Sequence, residues 1–381
     1  MKTLRYRIPF LHPLSPLEMF APAGDLARTF PFSEPRLRHY YLARNAIWYG
    51  VDALGLKPGD GVLVPAYHHG IEVEVLRAKG LIVHYYRVDE RMGMDFEHLE
   101  RLSGLGARAL YVIHYLGFPQ PIDRIRDFVS RHSLPLIEDC ALSLFSRAPA
   151  GPLGSFGDIG IFCLYKTLAV PHGGTLILNR DGLPLPPEPK EPDWISTAAY
   201  AANRCLDHFD LHGGGAGQLF SGLGRAMGRL TKRTMRAEAV PIDTNELDLS
   251  EIPLGMSRVA RSILFRTQAA EVVRIRRRNY EHLISLLDGG VRVLFPELPA
   301  GVCPLSLPIL VPDKPAAYER LLESGVETVN LWFRRRPDVP EGAFPEVEFL
   351  RRHVLEVPIH QGLRPDHVEF IAARVRRIAR W

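Results

Sequence analysis

An aspartate and a lysine follow two consecutive apolar segments, each at the point where a strand is expected to end. Asp139 closes the segment 134–139, and Lys166 lies just after the apolar run 159–165. A buried ammonium group is costly unless it is paired or chemically used, and a lysine amine in a desolvated pocket is a common nucleophile. The pair therefore indicates a reactive amine with an anion nearby, although such pairs also form ordinary salt bridges.

One cofactor chemistry needs both of these groups. A lysine amine forms a Schiff base with an aldehyde, and the ring nitrogen of pyridoxal phosphate stays protonated when an anion faces it, so that the ring can accept electrons. Lys166 and Asp139 at the ends of neighbouring strands would meet both requirements. The alternatives are a surface lysine at a strand end and an aspartate that caps a helix or forms a salt bridge.

The segments that must position these residues alternate in character between residues 37 and 179. Apolar runs of about five to eight residues are separated by helix-like segments of about ten residues. This alternation is typical of parallel strands with helical crossovers, and such sheets collect functional groups at the carboxyl ends of their strands. We therefore predict an α/β fold with a mostly parallel sheet covered by helices.

The alternation ends after Asn179, where a proline-rich connector leads to a glycine-rich and then basic stretch at 212–235. Four apolar residues of this stretch could share one helical face: Leu219, Leu223, Met227 and Leu230. We expect a flap over the site at 213–233, with a membrane-surface helix as the alternative.

The remaining sequence predicts a second, smaller domain of α+β type. A long helix is expected over 256–287, and later apolar runs and periodic segments predict further strands and helices. We place a large domain at 1–248, with the flap or insertion at about 181–248, and a small C-terminal domain at 249–381.

Composition narrows the class of protein. The 381 residues are 46% hydrophobic and 24% charged, as in soluble globular proteins, and no stretch approaches the length of a membrane-spanning helix. The four cysteines are widely spaced and form no metal-ligand pair, which indicates reduced thiols in a cytoplasm. The net charge of +4 comes from basic clusters such as 274–279 and 333–337, without a nucleic-acid module. We expect no nucleic-acid partner, no membrane contact and no metal.

A set of short motifs around the candidate pair resembles the DegT/DnrJ/StrS family in order and spacing. The motifs are VLVPAYHH, VIHYLGFP, LIEDCA, GSFGDIG and the HGG that follows Lys166, with EVPIHQGL near the end. The similarity runs from about residue 37 to residue 179, with a weaker echo at 356–363. Members of this family are sugar aminotransferases of the fold-type I class of pyridoxal phosphate enzymes.

The resemblance implies roles for individual residues. Lys166 would hold the cofactor covalently and move a proton once the substrate displaces it, and Asp139 would pair with the pyridine nitrogen. His69 falls where the family places an aromatic residue that stacks on the cofactor ring; a structural histidine is the alternative. His114 matches a family position too, and we interpret it as structural.

Phosphate binding departs from the family's usual pattern. The family has a small Gly-Thr pair at the start of the first helix, where free N–H groups favour an anion, and this sequence has Arg44 and Asn45. Because an arginine fork suits phosphate, we predict that both residues contribute to the phosphate site. The alternative is that Asn45 only caps the helix and Arg44 faces solvent.

Other departures affect the expected activity. Cys163 stands where the family usually has a serine before the lysine, and the gap between this position and Lys166 is two residues shorter than in typical members. We keep Cys163 among the cofactor-binding candidates. Leu142 replaces a common glutamine, and no asparagine occurs at 253–257, where the family has one that reaches the partner subunit's cofactor.

The leading hypothesis is a cytoplasmic, homodimeric pyridoxal phosphate aminotransferase. It would move an amino group from an amino acid, with glutamate as the candidate donor, to a keto acceptor that by analogy is a nucleotide-linked keto sugar. Two alternatives remain: different pyridoxal phosphate chemistry on an unusual acceptor, and a degenerate fold-type I protein that binds without catalysis.

Overall fold

The computed structural model describes residues 6–235, 247–287, 289–332, 339 and 341–380. The side chains of residues 227–235 are outside this description, as is the basic cluster 333–337. The predicted apolar face of the flap can therefore be followed at Leu219 and Leu223, whereas the side chains of Met227 and Leu230 lie outside the described part.

A seven-stranded sheet forms the centre of the molecule, and its strands run in the order β1-β9-β8-β5-β4-β2-β3. The chain's first nine strands are β1 (Leu37–Tyr40), β2 (Gly61–Pro65), β3 (Ile82–Tyr86), β4 (Ala107–Ile113), β5 (Leu136–Asp139), β6 (Arg147–Ala148), β7 (Gly151–Pro152), β8 (Ile159–Cys163) and β9 (Gly174–Leu178). The short strands β6 and β7 pair only with each other among the described residues.

The five strands from β3 to β8 in the sheet are parallel to one another. The next strand, β9, is antiparallel to both of its neighbours, β8 and the edge strand β1. Strands β2, β8 and β9 are buried along their whole length, as expected for strands covered on both faces. The predicted α/β class with a mostly parallel sheet is confirmed. Because β5 and β8 are parallel neighbours, their carboxyl ends lie at the same edge.

Helices cross between the strands and cover the sheet. In chain order they are α1 (Ala43–Ala53), α2 (Ile71–Ala78), α3 (Phe96–Ser103), α4 (Ile122–His132), α5 (Trp194–His212), α6 (Gly214–Met235), α7 (Arg258–Leu264), α8 (Ala269–Leu286), α9 (Lys314–Glu323), α10 (Pro345–His353) and α11 (Pro365–Ile378). Apolar residues on one side of each crossover helix, such as Ile125 and Phe128 of α4, are buried in the core around the sheet.

A second, smaller core lies around a three-stranded antiparallel sheet. Its strands are β10 (Arg292–Val293), β11 (Ser306–Leu310) and β12 (Val354–Pro358), and helices α8, α9 and α11 pack around them. Leu307, Val357 and Ile371 are fully buried there. The predicted smaller α+β unit near the C-terminus is present.

The predicted single helix over 256–287 is wrong, because the chain forms α7 and α8 with a break at 265–268. The N-terminal segment causes this break. The Gly24 N–H donates to the Phe265 carbonyl (2.8 Å), and the Asp25 carboxylate accepts from the Ala269 N–H (2.7 Å), which caps α8. The helical periodicity of the sequence cannot show contacts with a segment more than 200 residues away.

Both cores take residues from each side of residue 248. Met256 and Leu264 are buried in the larger core, whereas Ile8 and Leu211 are buried in the smaller one. The first turn of α8 belongs to the larger core and its second half to the smaller core. We therefore propose that the division between the domains falls within α8.

The predicted flap region forms a hairpin of two antiparallel helices, α5 and α6. Arg225 of α6 forms ion pairs with Asp207 (2.7 Å) and Asp210 (2.6 Å) of α5. Leu219 and Leu223 are 67% and 59% exposed, so their shared face points away from the described part of the chain. Within that part, no helix combines the length and hydropathy that crossing a bilayer requires.

Candidate active site

Asp139 ends β5 and is held as a buried carboxylate with a fixed orientation. Its Oδ2 accepts from the Tyr111 hydroxyl on the neighbouring strand β4 (2.6 Å), and its Oδ1 accepts from the Ala141 N–H (2.8 Å). Only 7% of the residue is exposed. Burial raises the pKa of Asp139, and these hydrogen bonds oppose the rise. The position offers a preorganised anion at the edge of the sheet.

Lys166 lies in a turn directly after β8 and is half-buried. Its positive charge reaches three buried groups at this edge: Asp139, Cys163 and Glu356. Burial raises the pKa of each of these groups, and the Lys166 ammonium opposes each rise. The structure therefore brings the predicted pair, Asp139 and Lys166, to one edge, as the parallel arrangement of β5 and β8 requires.

Two glycines close the turn that carries Lys166. Gly173 has a φ of +151°, and the Leu164 N–H donates to its carbonyl (2.9 Å). A Cβ on Gly174 would lie 2.3 Å from the Leu42 carbonyl carbon, just before α1. Only glycine fits so close an approach. The predicted HGG motif thus brings the lysine turn against the start of α1.

The start of α1 carries the two predicted phosphate residues. Arg44 is 5% exposed, and its charge lowers the pKa of Glu251, which burial and Asp248 raise. The Asn45 side-chain amide donates to the carbonyls of Glu251 (2.7 Å) and Ile252 (3.0 Å). Leu42 is the N-cap residue of α1, and its side chain forms no capping hydrogen bond with the first turn of the helix. Asn45 therefore uses its amide donors on the protein, and Arg44 remains the proposed side-chain donor to phosphate.

His69 lies in the loop between β2 and α2, which follows the carboxyl end of β2. Its N–H donates to the Glu72 carboxylate (2.9 Å), and so does the N–H of Gly70 (3.0 Å). His69 is half-buried, whereas the neighbouring His68 is fully buried and stacks on Tyr85 at 5.4 Å. The loop position is compatible with the predicted stacking role of His69, which stays a prediction.

Cys163 is the last residue of β8 and is 2% exposed. Burial raises the pKa of its thiol, so the group is neutral at physiological pH. A neutral thiol donates only weak hydrogen bonds. A contribution of Cys163 to cofactor binding therefore stays a prediction and would be steric more than electrostatic.

Glu138 and His114 lie beside the catalytic candidates, and both form hydrogen bonds with other groups of the protein. Glu138 is 1% exposed and accepts from the N–H groups of Gly154 (3.0 Å) and Phe156 (2.6 Å), which fixes the GSFGDIG loop before β8. The His114 Nδ1 accepts from the Gln120 N–H (3.1 Å), so its Nε2 carries the proton and donates to Glu138 (3.0 Å). These bonds support the structural interpretation of His114.

Two buried carboxyls of the site were not singled out from the sequence. Burial raises the pKa of both Glu72 and Glu356 to about 7. The Asp139 charge adds to the rise at Glu72, whereas a hydrogen bond from Ser306 (2.6 Å) opposes it at Glu356. Glu356 reaches Lys166 from β12. The sequence did hold a signal for Glu356, namely a glutamate inside the apolar segment 354–358, because a glutamate is rarely buried without a partner.

Comparison with known proteins identifies the segment that carries this site. Residues 43–184 match the DegT/DnrJ/EryC1/StrS aminotransferase family. GDP-perosamine synthase of Vibrio cholerae is 28% identical over 139 residues, which are 36% of this chain and 38% of that protein. The L-glutamine:2-deoxy-scyllo-inosose aminotransferase of Streptoalloteichus tenebrarius is 26% identical over 183 residues, 43% of each chain. The matched region spans about two fifths of the length of these curated relatives.

Solved structures show the same fold over nearly the whole chain. GDP-4-keto-6-deoxy-D-mannose-3-dehydratase from E. coli, with bound hydrated PLP, superposes with a TM-score of 0.66 at 17% identity. The similarity covers 92% of this chain and 89% of that one. This likeness establishes the fold.

Pyridoxal phosphate is the cofactor associated with this family domain and fold, and the residues present fit it. A buried carboxylate suits the ring nitrogen, a half-buried lysine at the same edge suits the aldehyde, and the start of α1 with Arg44 suits the phosphate. Residues 43–184, which match the DegT/DnrJ/EryC1/StrS aminotransferase family, run from the start of α1 past the lysine turn and so include the residues of this site from Arg44 to Lys166.

Proposed function

We propose that this protein is a pyridoxal phosphate-dependent aminotransferase acting on a keto sugar linked to a nucleotide. The observation that carries the proposal is the pair formed by Asp139 and Lys166, whose charges interact at the buried edge where β5 and β8 end. The family match supports it, and so does the name of GDP-perosamine synthase, which refers to a compound linked to a nucleotide.

The geometry of the site supports the proposed residue roles. Bound pyridoxal phosphate supplies an electron-accepting ring and an aldehyde carbon that carries the amino group. Asp139, oriented by Tyr111, holds a negative charge against the ring nitrogen. The Lys166 amine would hold the cofactor at its aldehyde carbon. Once the amino donor displaces it, the amine would move a proton between the donor's carbon and that same carbon of the cofactor.

The donor is the least constrained part of the proposal. We take L-glutamate as the first candidate, and L-glutamine as the next, because a curated relative is named for that donor. We further propose that the protein works as a cytoplasmic homodimer, consistent with the family resemblance and with its four free cysteines.

The half-reaction tests this function directly. The purified protein is loaded with pyridoxal phosphate and mixed with L-glutamate or L-glutamine but no acceptor, and its absorbance is followed. We expect stoichiometric conversion to the amine form of the cofactor, which persists until a keto sugar is added. Binding without conversion for any amino donor would favour different chemistry on the same cofactor. Absence of binding at micromolar concentrations would favour a non-catalytic binding protein.

A further inference from the structure

The turn that carries Lys166 is held from outside by three polar side chains, which we name the lysine clamp: Arg204 of α5, Arg276 of α8 and Gln361 after β12. The Tyr165 carbonyl accepts from Arg204 Nη2 (2.9 Å). The Thr167 carbonyl accepts from Arg276 Nη2 (3.1 Å) and from Gln361 Nε2 (3.0 Å). The carbonyls of the two residues beside Lys166 are thus bound by side chains from distant parts of the chain.

Arg276 is the centre of the clamp and is only 1% exposed. Its Nε donates to the Gln361 Oε1 (2.9 Å), and its Nη1 donates to the carbonyls of Pro304 (3.2 Å) and Leu305 (2.8 Å). Burial lowers its pKa to about 10. Within the described part of the chain, no carboxylate forms an ion pair with Arg276, so the buried cation is satisfied only by neutral acceptors.

A buried cation without a counter-ion is expensive, and packing alone would favour an apolar side chain at this position. What the guanidinium provides is a rigid fork of donors that reaches several backbone carbonyls at once. Arg276 thereby joins the lysine turn to residues 304–305, and Gln361 adds a second donor at the same carbonyl of Thr167.

The contacts fix the backbone on both sides of the lysine. A peptide unit is planar, so Arg204, which holds the Tyr165 carbonyl, also holds the nitrogen and Cα of Lys166. Arg276 and Gln361 act on the other side, where the Thr167 carbonyl that they hold fixes the Cα of Thr167. The turn has its own bonds as well: the N–H groups of Thr167 (3.1 Å) and Leu168 (2.9 Å) both donate to the Leu164 carbonyl, and the Leu164 N–H donates to the Gly173 carbonyl (2.9 Å). The lysine clamp adds to these local bonds contacts from distant parts of the chain.

We propose that Arg276 and Gln361 are positioning residues that help to aim the Lys166 amine by holding the backbone of the following residue at the Thr167 carbonyl. The inference rests on the proposed function and deepens it. Both residues belong to the C-terminal part of the chain, whereas Lys166 belongs to the family domain. The C-terminal part of the chain therefore contributes to the geometry of the turn that carries Lys166.

Backbone hydrogen exchange in the cofactor-free protein tests this without any turnover. Gln361→Met keeps the side-chain volume and removes the donor, and Arg276→Met removes the fork. We expect amide exchange of residues 164–168 to rise by roughly tenfold in each, with exchange in β2 and β3 unchanged. The matched control is Arg277→Met, which alters the neighbouring arginine of α8, whose Nη1 donates to Pro299 and Val302 (both 2.8 Å).

Kinetics then separate positioning from folding. In the loaded protein, Gln361→Met should lower kcat about tenfold with little change in KM. Because this variant also leaves the buried Arg276 Nε without its acceptor, kcat is measured well below the melting temperature of the variant. Arg276→Lys, which keeps the cation and one donor, should recover part of the loss seen in Arg276→Met.

Two results have different meanings. The positioning role would be overturned if amides 164–168 exchanged at the same rate in the Gln361 and Arg276 variants as in the Arg277→Met control. Failure of the wild-type protein to attach pyridoxal phosphate at Lys166 would instead overturn the proposed function, and the exchange result in the cofactor-free protein would remain interpretable.

Discussion

The edge of the sheet that carries Asp139 differs from the start of α1 in how its side chains are held. The partners of Asp139 are Tyr111 on the adjacent strand and Ala141 two residues further along its own chain. The partners of Asn45 are carbonyls at 251–254, more than 200 residues away. The first arrangement is built by neighbouring strands and their loops, and the second by contacts between distant parts of the chain.

This difference shows which site positions depend only on the central sheet and which depend on contacts with distant parts of the chain. A carboxylate between parallel strands keeps its place as long as the sheet forms, because the register of β4, β5 and β8 sets its position. The start of α1 depends on where residues 251–254 lie. Changes at the sheet edge should therefore alter chemistry at constant stability, whereas changes at the start of α1 should alter stability or phosphate binding.

The largest effect is expected at the sheet edge. Asp139→Asn keeps the shape but removes the negative charge, so transamination should fall by about 10²- to 10³-fold while the melting temperature changes little. The measurement is kcat with saturating cofactor, and Asp123→Asn, on the exposed face of α4, is the control. A loss of less than tenfold would mean that Asp139 does not face the cofactor ring.

The start of α1 should respond in the opposite way. Asn45 is fully buried, and Asn45→Ala leaves the carbonyls of Glu251 and Ile252 without their donor. We expect a loss of roughly 2–3 kcal/mol in the free energy of unfolding, measured with urea. Asn203→Ala, at an exposed position of α5, should cost less than about 0.5 kcal/mol. Equal costs for the two variants would refute the structural role of Asn45.

Glu356 extends the comparison to a carboxyl that approaches Lys166 from β12. Its pKa is raised from 4.5 to about 7, mainly by burial, so the folded protein holds this proton more tightly than the unfolded chain does. The contribution of Glu356 to the free energy of unfolding should therefore fall as the pH rises from 5 to 7. Glu356→Gln should remove about 2 kcal/mol of that fall, as measured by urea unfolding at the two pH values.

Glu72, whose pKa burial also raises to about 7, titrates over the same range, so the difference between Glu356→Gln and the wild type, and not the slope itself, isolates Glu356. Burial lowers the pKa of the neighbouring Lys314 to about 7, so most of its titration lies above this interval. Glu369→Gln, at an exposed position of α11, is the control and should leave the pH dependence as it is in the wild type. An unchanged slope in Glu356→Gln would show that Glu356 is already ionised at pH 5.

The smallest effect is expected for phosphate binding. Arg44→Met should weaken the binding of pyridoxal phosphate about tenfold, which corresponds to about 1.4 kcal/mol. Pyridoxal, which lacks the phosphate, serves as the matched ligand, and its affinity should be the same for both proteins. A parallel loss for both ligands would mean that Arg44 supports the fold of α1 and does not bind phosphate.

The contrast between the two regions also explains what could be predicted from the sequence. The apolar runs indicated β2, β3, β4, β5 and β8, and parallel packing then brought Asp139 and Lys166 to one edge, because these features depend on local pattern and general rules. The break between α7 and α8 was missed because Gly24 and Asp25 cause it from a distance.

The same limit applies to the rest of the site. The donors of Asn45 are used by residues 251–254, and the lysine turn is held by Arg204, Arg276 and Gln361, none of which lies near it in the sequence. The sequence showed a basic run at 274–279, but its periodicity could not separate the buried Arg276 from the half-exposed arginines beside it.

Chemical trapping tests the central claim most directly, namely that Lys166 holds the cofactor opposite Asp139. The purified protein is incubated with pyridoxal phosphate, reduced with borohydride, digested and analysed by mass spectrometry. We predict a single pyridoxyl group on the peptide containing Lys166, and none on that peptide in Lys166→Met. An unmodified Lys166 peptide in the wild-type protein at saturating cofactor would contradict this assignment of the site.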